Sequence, residues 1–215
     1  MPENLFETQY NVTKKTKLLK FYESNKILIF CFISIVVIVL VSFSFYLENK
    51  EKKKFLLSEN YLQAKIYLEK GQKNEAINIL KEVIFANDST YSTLCFFLIM
   101  NQNLINDYKE LSDLFNHLLG NNKFSKEVKN LLIYKKALLD SNYVSESELL
   151  ESMKPILNTE TIWKPHALLL LGDYFVSKKE YIKAIEFYQK IFTIKNLHND
   201  LYNHARFQLT LITNE

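Results

Sequence analysis

The chain has 215 residues, with 27 Lys+Arg against 24 Asp+Glu for a formal net charge of +3, and only 3 Gly and 3 Pro. So few turn formers argue against turn-rich all-β folds and favour helices. The near-neutral balance, with Arg206 as the sole arginine, leaves no electrostatic footprint for nucleic acid.

The first 26 residues are polar and carry Lys14, Lys15, Lys17, Lys20 and Lys26. From Ile27 to Leu47 the chain reads ILIFCFISIVVIVLVSFSFYL, without a charge. That length suits a bilayer core of about 30 Å at about 1.5 Å of helix rise per residue. A cleavable signal has a shorter apolar region ending in small residues, and Val41-Ser42-Phe43-Ser44 fits that poorly. The run therefore predicts an uncleaved transmembrane helix. Lys50, Lys52, Lys53 and Lys54 follow it, so lysine bias across the span is slight. Because long domains translocate largely regardless of charge, the short tail counts for more, and the reading is tail inside, domain outside.

Residues 48–56 are charged and predict a helical stalk; 57–215 remain for one domain. Beyond the stalk, apolar periodicity and polar breaks predict helices over 55–70, 74–86, 91–104, 107–119, 125–140, 146–157, 163–178, 181–194 and 200–213. The breaks hold Gly71, Asn87-Asp88-Ser89, Gly120-Asn121-Asn122, Asp140-Ser141-Asn142, Pro155 and Asn196. Cys31 lies in the apolar run and Cys95 in Leu94-Cys95-Phe96-Phe97-Leu98, so no disulfide joins them and Cys95 is expected to be a buried, inert thiol.

Two stretches follow one template. Ala64, Tyr67, Ala76 and Leu80 share their spacing with Gly172, Phe175, Ala184 and Tyr188. Two antiparallel helices cross closely only where side chains are small, so Ala64 or Gly172 is expected to face Ala76 or Ala184. The large residues fill the space beside the crossing. One such hairpin cannot bury its apolar face alone, so units of this kind stack.

These residues resemble the tetratricopeptide repeat, over 57–90 and 165–198, and Tyr181 fits a further aromatic place of the motif. The resemblance implies an all-α fold: a single N-terminal transmembrane helix followed by a tetratricopeptide-repeat-like α-solenoid of stacked helical hairpins. The helix-start tryptophan and closing proline of the motif are missing from both units, and the middle of the domain has drifted from the period or carries an insertion.

Trp163-Lys164-Pro165-His166-Ala167 opens the second unit, and Leu201-Tyr202-Asn203-His204-Ala205-Arg206 lies in the last helix. With the order of tail, anchor, stalk and degenerate repeats, these look like the bacterial ancillary SecYEG translocon subunit family (YfgM-type). Tyr202 stands where that family's ending has an arginine. The resemblance implies a cytoplasmic tail, an inner-membrane anchor and a periplasmic domain. It also implies the SecYEG translocon, the membrane-anchored chaperone PpiD and emerging secreted chains as partners.

Catalytic chemistry finds no foothold. The three glycines are about 50 residues apart, so neither a phosphate cradle nor a nucleophile elbow can form. The histidines His117, His166, His198 and His204 lack metal-ligand spacing, although Asp200 and His204 share a helical face. Glu146, Glu148 and Glu151 read as a polar helix start rather than an acid–base pair. Lys65 has no basic counterpart at the aligned Asp173, so nothing marks a carboxylate clamp. No cofactor, metal, nucleic acid or small-molecule substrate is expected. The reading is a non-enzymatic scaffold assisting periplasmic chaperones with emerging secreted proteins, localised at the bacterial inner membrane. The alternatives are an adaptor in envelope assembly or cell division, and a cytosol-facing docking module of reversed topology.

Overall fold

The computed structural model describes residues 4–195 and 197–213, with side chains from residue 19 onward. The side chains of Lys14, Lys15 and Lys17, and the whole of Asn196, lie outside the described residues. Those residues form nine α-helices and no strand: α1 (Asn4–Glu69), α2 (Lys73–Phe85), α3 (Tyr91–Asn101), α4 (Tyr108–Asn121), α5 (Lys126–Asp140), α6 (Glu146–Leu157), α7 (Lys164–Ser177), α8 (Tyr181–Phe192) and α9 (Asn199–Thr213).

The backbone divides into two units, Met1–Leu56 and Leu57–Glu215. α1 contributes to both, because no helix break separates the apolar run from the segment expected to begin at residue 55. Within the first unit, α1 is the one helix among the described residues long and apolar enough to span a membrane. Its large apolar side chains stand exposed, as lipid-facing residues must. This is consistent with single-pass membrane anchoring.

Local chemistry explains most helix ends. Ser145 and Glu148 form a reciprocal capping box at the start of α6: the Ser145 N–H donates to Glu148 Oε2 at 2.9 Å, and the Glu148 N–H donates to Ser145 Oγ at 3.3 Å. Asp107 caps α4 by accepting from the Glu110 N–H at 2.8 Å. α3 stops three residues short of its expected end, because Asn103 turns into the left-handed region at φ 47° and the Leu104 N–H closes onto Ile99 O at 3.0 Å.

Two expected breaks are not breaks. Gly120 and Asn121 form the last turn of α4, since a glycine near a helix end costs little against the packing of Leu114, Phe115 and Leu118. Pro155 lies inside α6, two residues before its end. Its missing N–H removes the ladder bond to Glu151 O, and the helix ends two residues later.

In the second unit, successive helices pack on one another, and α2–α4, α5–α7 and α7–α9 also touch. Contact with both the next helix and the next but one marks stacked hairpins. The core forms two clusters. The first runs from Ala64 to Leu132 and the second from Ala137 to Ala205, so α5 supplies both. α3 is apolar almost throughout and sits between α2 and α4. Its buried Ser92 hydroxyl donates to Val83 O at 2.9 Å, so no polar atom is stranded there. Asp140, 3% exposed, accepts from Lys136 Nζ at 2.5 Å and from Tyr108 Oη at 3.0 Å, which is the pairing a buried carboxylate needs.

Candidate interaction surface

The repeat residues sit where helices meet. Ala64, Ala76 and Leu80 are fully buried in the first cluster, with Tyr67 half-buried against it. Gly172, Phe175, Ala184 and Tyr188 are buried in the second. Tyr181 differs: it is 37% exposed at the first position of α8, because the start of that helix points its ring away from the crossing.

The two hairpin turns match residue for residue. Gly71 has φ 76° and the aligned Lys179 has φ 62°. The N–H of Gln72 donates to Tyr67 O at 2.9 Å, and that of Glu180 donates to Phe175 O at 2.9 Å. One turn is thus built once with glycine and once with lysine.

The close approach in the second hairpin involves a residue the spacing did not pair. A Cβ built on Gly172 would meet the Tyr188 ring, with Cε1 at 2.4 Å. Nearest to that position is therefore the aromatic ring one turn beyond Ala184 on α8. Tyr188 Oη donates to Asp173 Oδ1 at 2.6 Å. Burial first, then this bond and the Asp173 charge, push the Tyr188 hydroxyl above its usual pKa. In the first hairpin the aligned pair is Lys65 and Leu80, where no hydroxyl needs an acceptor. The repeat alignment sets Asp173 against Lys65 and Tyr188 against Leu80 but does not show which side chains meet.

α5, α7 and α9 form one side of this unit. Tyr134 stacks with Trp163 at 6.0 Å between ring centroids and meets His166 edge-on at 5.9 Å. Trp163 and His166 lie 5.3 Å apart. Further along, His204 Nε2 stands 3.7 Å from Asp173 Oδ2. His198 Nδ1 is 3.4 Å from Asp200 Oδ2, both well exposed. No group of three or more His, Cys, Asp or Glu able to hold a metal occurs among the described residues. Glu146 reaches Lys183 on α8 at 2.7 Å, and Glu151 pairs with Lys154 on its own helix. What this side offers is aromatic and hydrogen-bonding surface.

Residues 60–87 and 165–196 match the family model described as Tetratricopeptide repeat. No curated protein and no solved structure matches the chain. The helical domain thus carries tetratricopeptide repeats, one near its start and one near its end.

Proposed function

We propose that this chain is a non-enzymatic, membrane-anchored interaction scaffold working beside the SecYEG translocon. The observation that carries the general reading is one membrane-length apolar helix on the same chain as two tetratricopeptide repeats. Stacked helical hairpins offer an extended surface suited to peptide or protein partners rather than a reaction pocket.

The narrower reading rests on the resemblance at Trp163–Ala167 and Leu201–Arg206. Two of these residues hold packing positions: Trp163 precedes α7 against Tyr134, and Ala205 is fully buried. In this reading residues 1–26 lie in the cytoplasm, 27–47 cross the inner membrane, 48–56 form the stalk, and 57–215 act in the periplasm. PpiD and emerging secreted chains are the partners there.

The test has two arms. A C-terminal reporter active only outside the cytoplasm is expected to be active; an inactive one supports the cytosol-facing alternative. The full chain is then expected to co-purify with SecYEG from detergent-solubilised membranes. An active reporter with no SecYEG in the eluate overturns the translocon assignment and favours an adaptor of envelope assembly.

A further inference from the structure

The side of the stack carried by α6 and α8 differs from its counterpart in the first half. α2 and α4 pack directly on each other, whereas no backbone approach joins α6 to α8 among the described residues. At their starts the two helices are tied by side chains: Lys183 Nζ lies 2.7 Å from Glu146 Oε1 and 2.7 Å from Glu180 Oε2. Towards their ends they leave a groove of about 760 Å³.

Leu157, Phe187 and Ile194, all part-exposed, supply the apolar part of a lining that is otherwise polar, and Lys164, Lys190 and Lys195 line it against a single carboxylate, Glu160. The Glu160 side chain is 95% exposed and its carboxylate meets Lys164 at 3.4 Å, while its backbone carbonyl accepts from Lys126 Nζ at 3.1 Å. Lys190 lies over the Phe187 ring, 5.0 Å from its centroid. Neither Lys190 nor Lys195 takes part in the ion pairs found among the described residues. The chain beyond Leu47 holds 22 basic and 21 acidic residues, so this surplus is local and not a reflection of overall charge.

Apolar patches beside two cations outside any ion pair among the described residues, Lys190 and Lys195, complement an apolar segment flanked by carboxylates. The volume holds about two turns of a helix roughly 10 Å wide, set where a direct helix–helix contact is missing. We infer that the groove between α6 and α8 docks a short acidic amphipathic helix of a partner protein. Its apolar residues sit on the part-exposed Leu157, Phe187 and Ile194, and its carboxylates reach Lys190 and Lys195. The inference rests on the reading of the domain as an interaction scaffold, but on neither the translocon nor the α5, α7 and α9 side.

The test uses the full chain in phosphatidylcholine nanodiscs. The probe is a fluorescein-labelled peptide of about 14 residues, with leucine at helical i, i+4, i+7 spacing and glutamate elsewhere. A second peptide replaces every glutamate by lysine. The acidic peptide is expected to give a saturable rise in anisotropy that weakens with salt; the basic one is expected to give none. K190E/K195E is expected to weaken binding about tenfold with unchanged circular dichroism, and Glu160→Lys, at a fully solvated site, to strengthen it. Absence of saturable binding, or binding indifferent to these substitutions, overturns the inference. So does a result in which the substitutions alter only co-sedimentation with phosphatidylglycerol vesicles. Peptide binding lost while SecYEG co-purification persists sinks this inference alone; the converse sinks the translocon reading alone.

Discussion

The ring of Tyr188 lies against the backbone of Gly172, so close that a Cβ there would stand 2.4 Å from Cε1 and 2.7 Å from Cδ1. The first repeat carries Ala64 and Leu80 at the aligned positions, both fully buried. A smaller partner permits a larger residue opposite it. Gly172→Ala is therefore expected to destabilise the domain by about 1–3 kcal/mol, the usual cost of overpacking. Adding Tyr188→Leu, which recreates the first repeat's pair, is expected to recover part of that loss. Urea denaturation of the full-length chain followed by circular dichroism checks this. A double variant weaker than the sum of both single losses contradicts it.

Ala76 and Ala184 are fully buried on the second helices of their hairpins. Tryptophan at either position has no space to enter without moving a helix. Ala76→Trp and Ala184→Trp are each expected to cost about 1–3 kcal/mol or more. An unchanged melting temperature for either variant means that the shared template of the two repeats has been drawn in the wrong register.

The turns offer a cleaner comparison. Nothing lies within 4 Å of a Cβ built on Gly71, yet its φ is 76°. Gly71→Ala is expected to cost about 1 kcal/mol through backbone strain alone. Lys179 holds φ 62° at the aligned position, so Lys179→Gly is expected to stabilise, less the entropy that glycine adds to the unfolded chain. Opposite signs in the two thermal shifts are the outcome to look for; matching signs disprove the equivalence of the turns.

Burial lifts the Cys95 thiol from about 9 to about 12, and Tyr188 is raised by burial and by Asp173. Both groups are neutral when protonated, and the native state holds their protons more tightly than the unfolded chain does. Their contribution is thus fully present below the unfolded values and is lost as pH rises through the folded ones. For Cys95 the window runs from about 9 to about 12. Stability is expected to decline through this range, and Cys95→Ala to flatten part of the decline. In a Cys31→Ser background, iodoacetamide is expected to label the folded chain far more slowly than the urea-unfolded one. Equal labelling rates refute a buried thiol.

Much of the helical layout was legible along the chain because breaks and periodicity are local. Gly71, Asn87-Asp88-Ser89 and the acidic start at Glu146 and Glu148 sit where helices stop or start, and such signals act over a few residues. The spacing of Ala64, Ala76 and Leu80, repeated at Gly172, Ala184 and Tyr188, revealed a shared hairpin for the same reason. Gly120 was placed in a break because position within a helix sets the cost of a glycine, and that position depends on the neighbouring turns.

The sequence by itself determined that the chain is helical, that it carries one membrane-length apolar run, and that two of its hairpins follow one template. Those properties come from side-chain size, charge and period along a single strand of residues. Only the tertiary structure decided which residues meet. It set the Tyr188 ring on Gly172 and its hydroxyl on Asp173, and stacked Tyr134 with Trp163. It also tied α6 to α8 through Glu146 and Lys183 while leaving their far ends open. The physical reason is that a contact between helices depends on their crossing angle and separation. These are settled jointly by the side chains at the crossing and by the packing of the helices on either side.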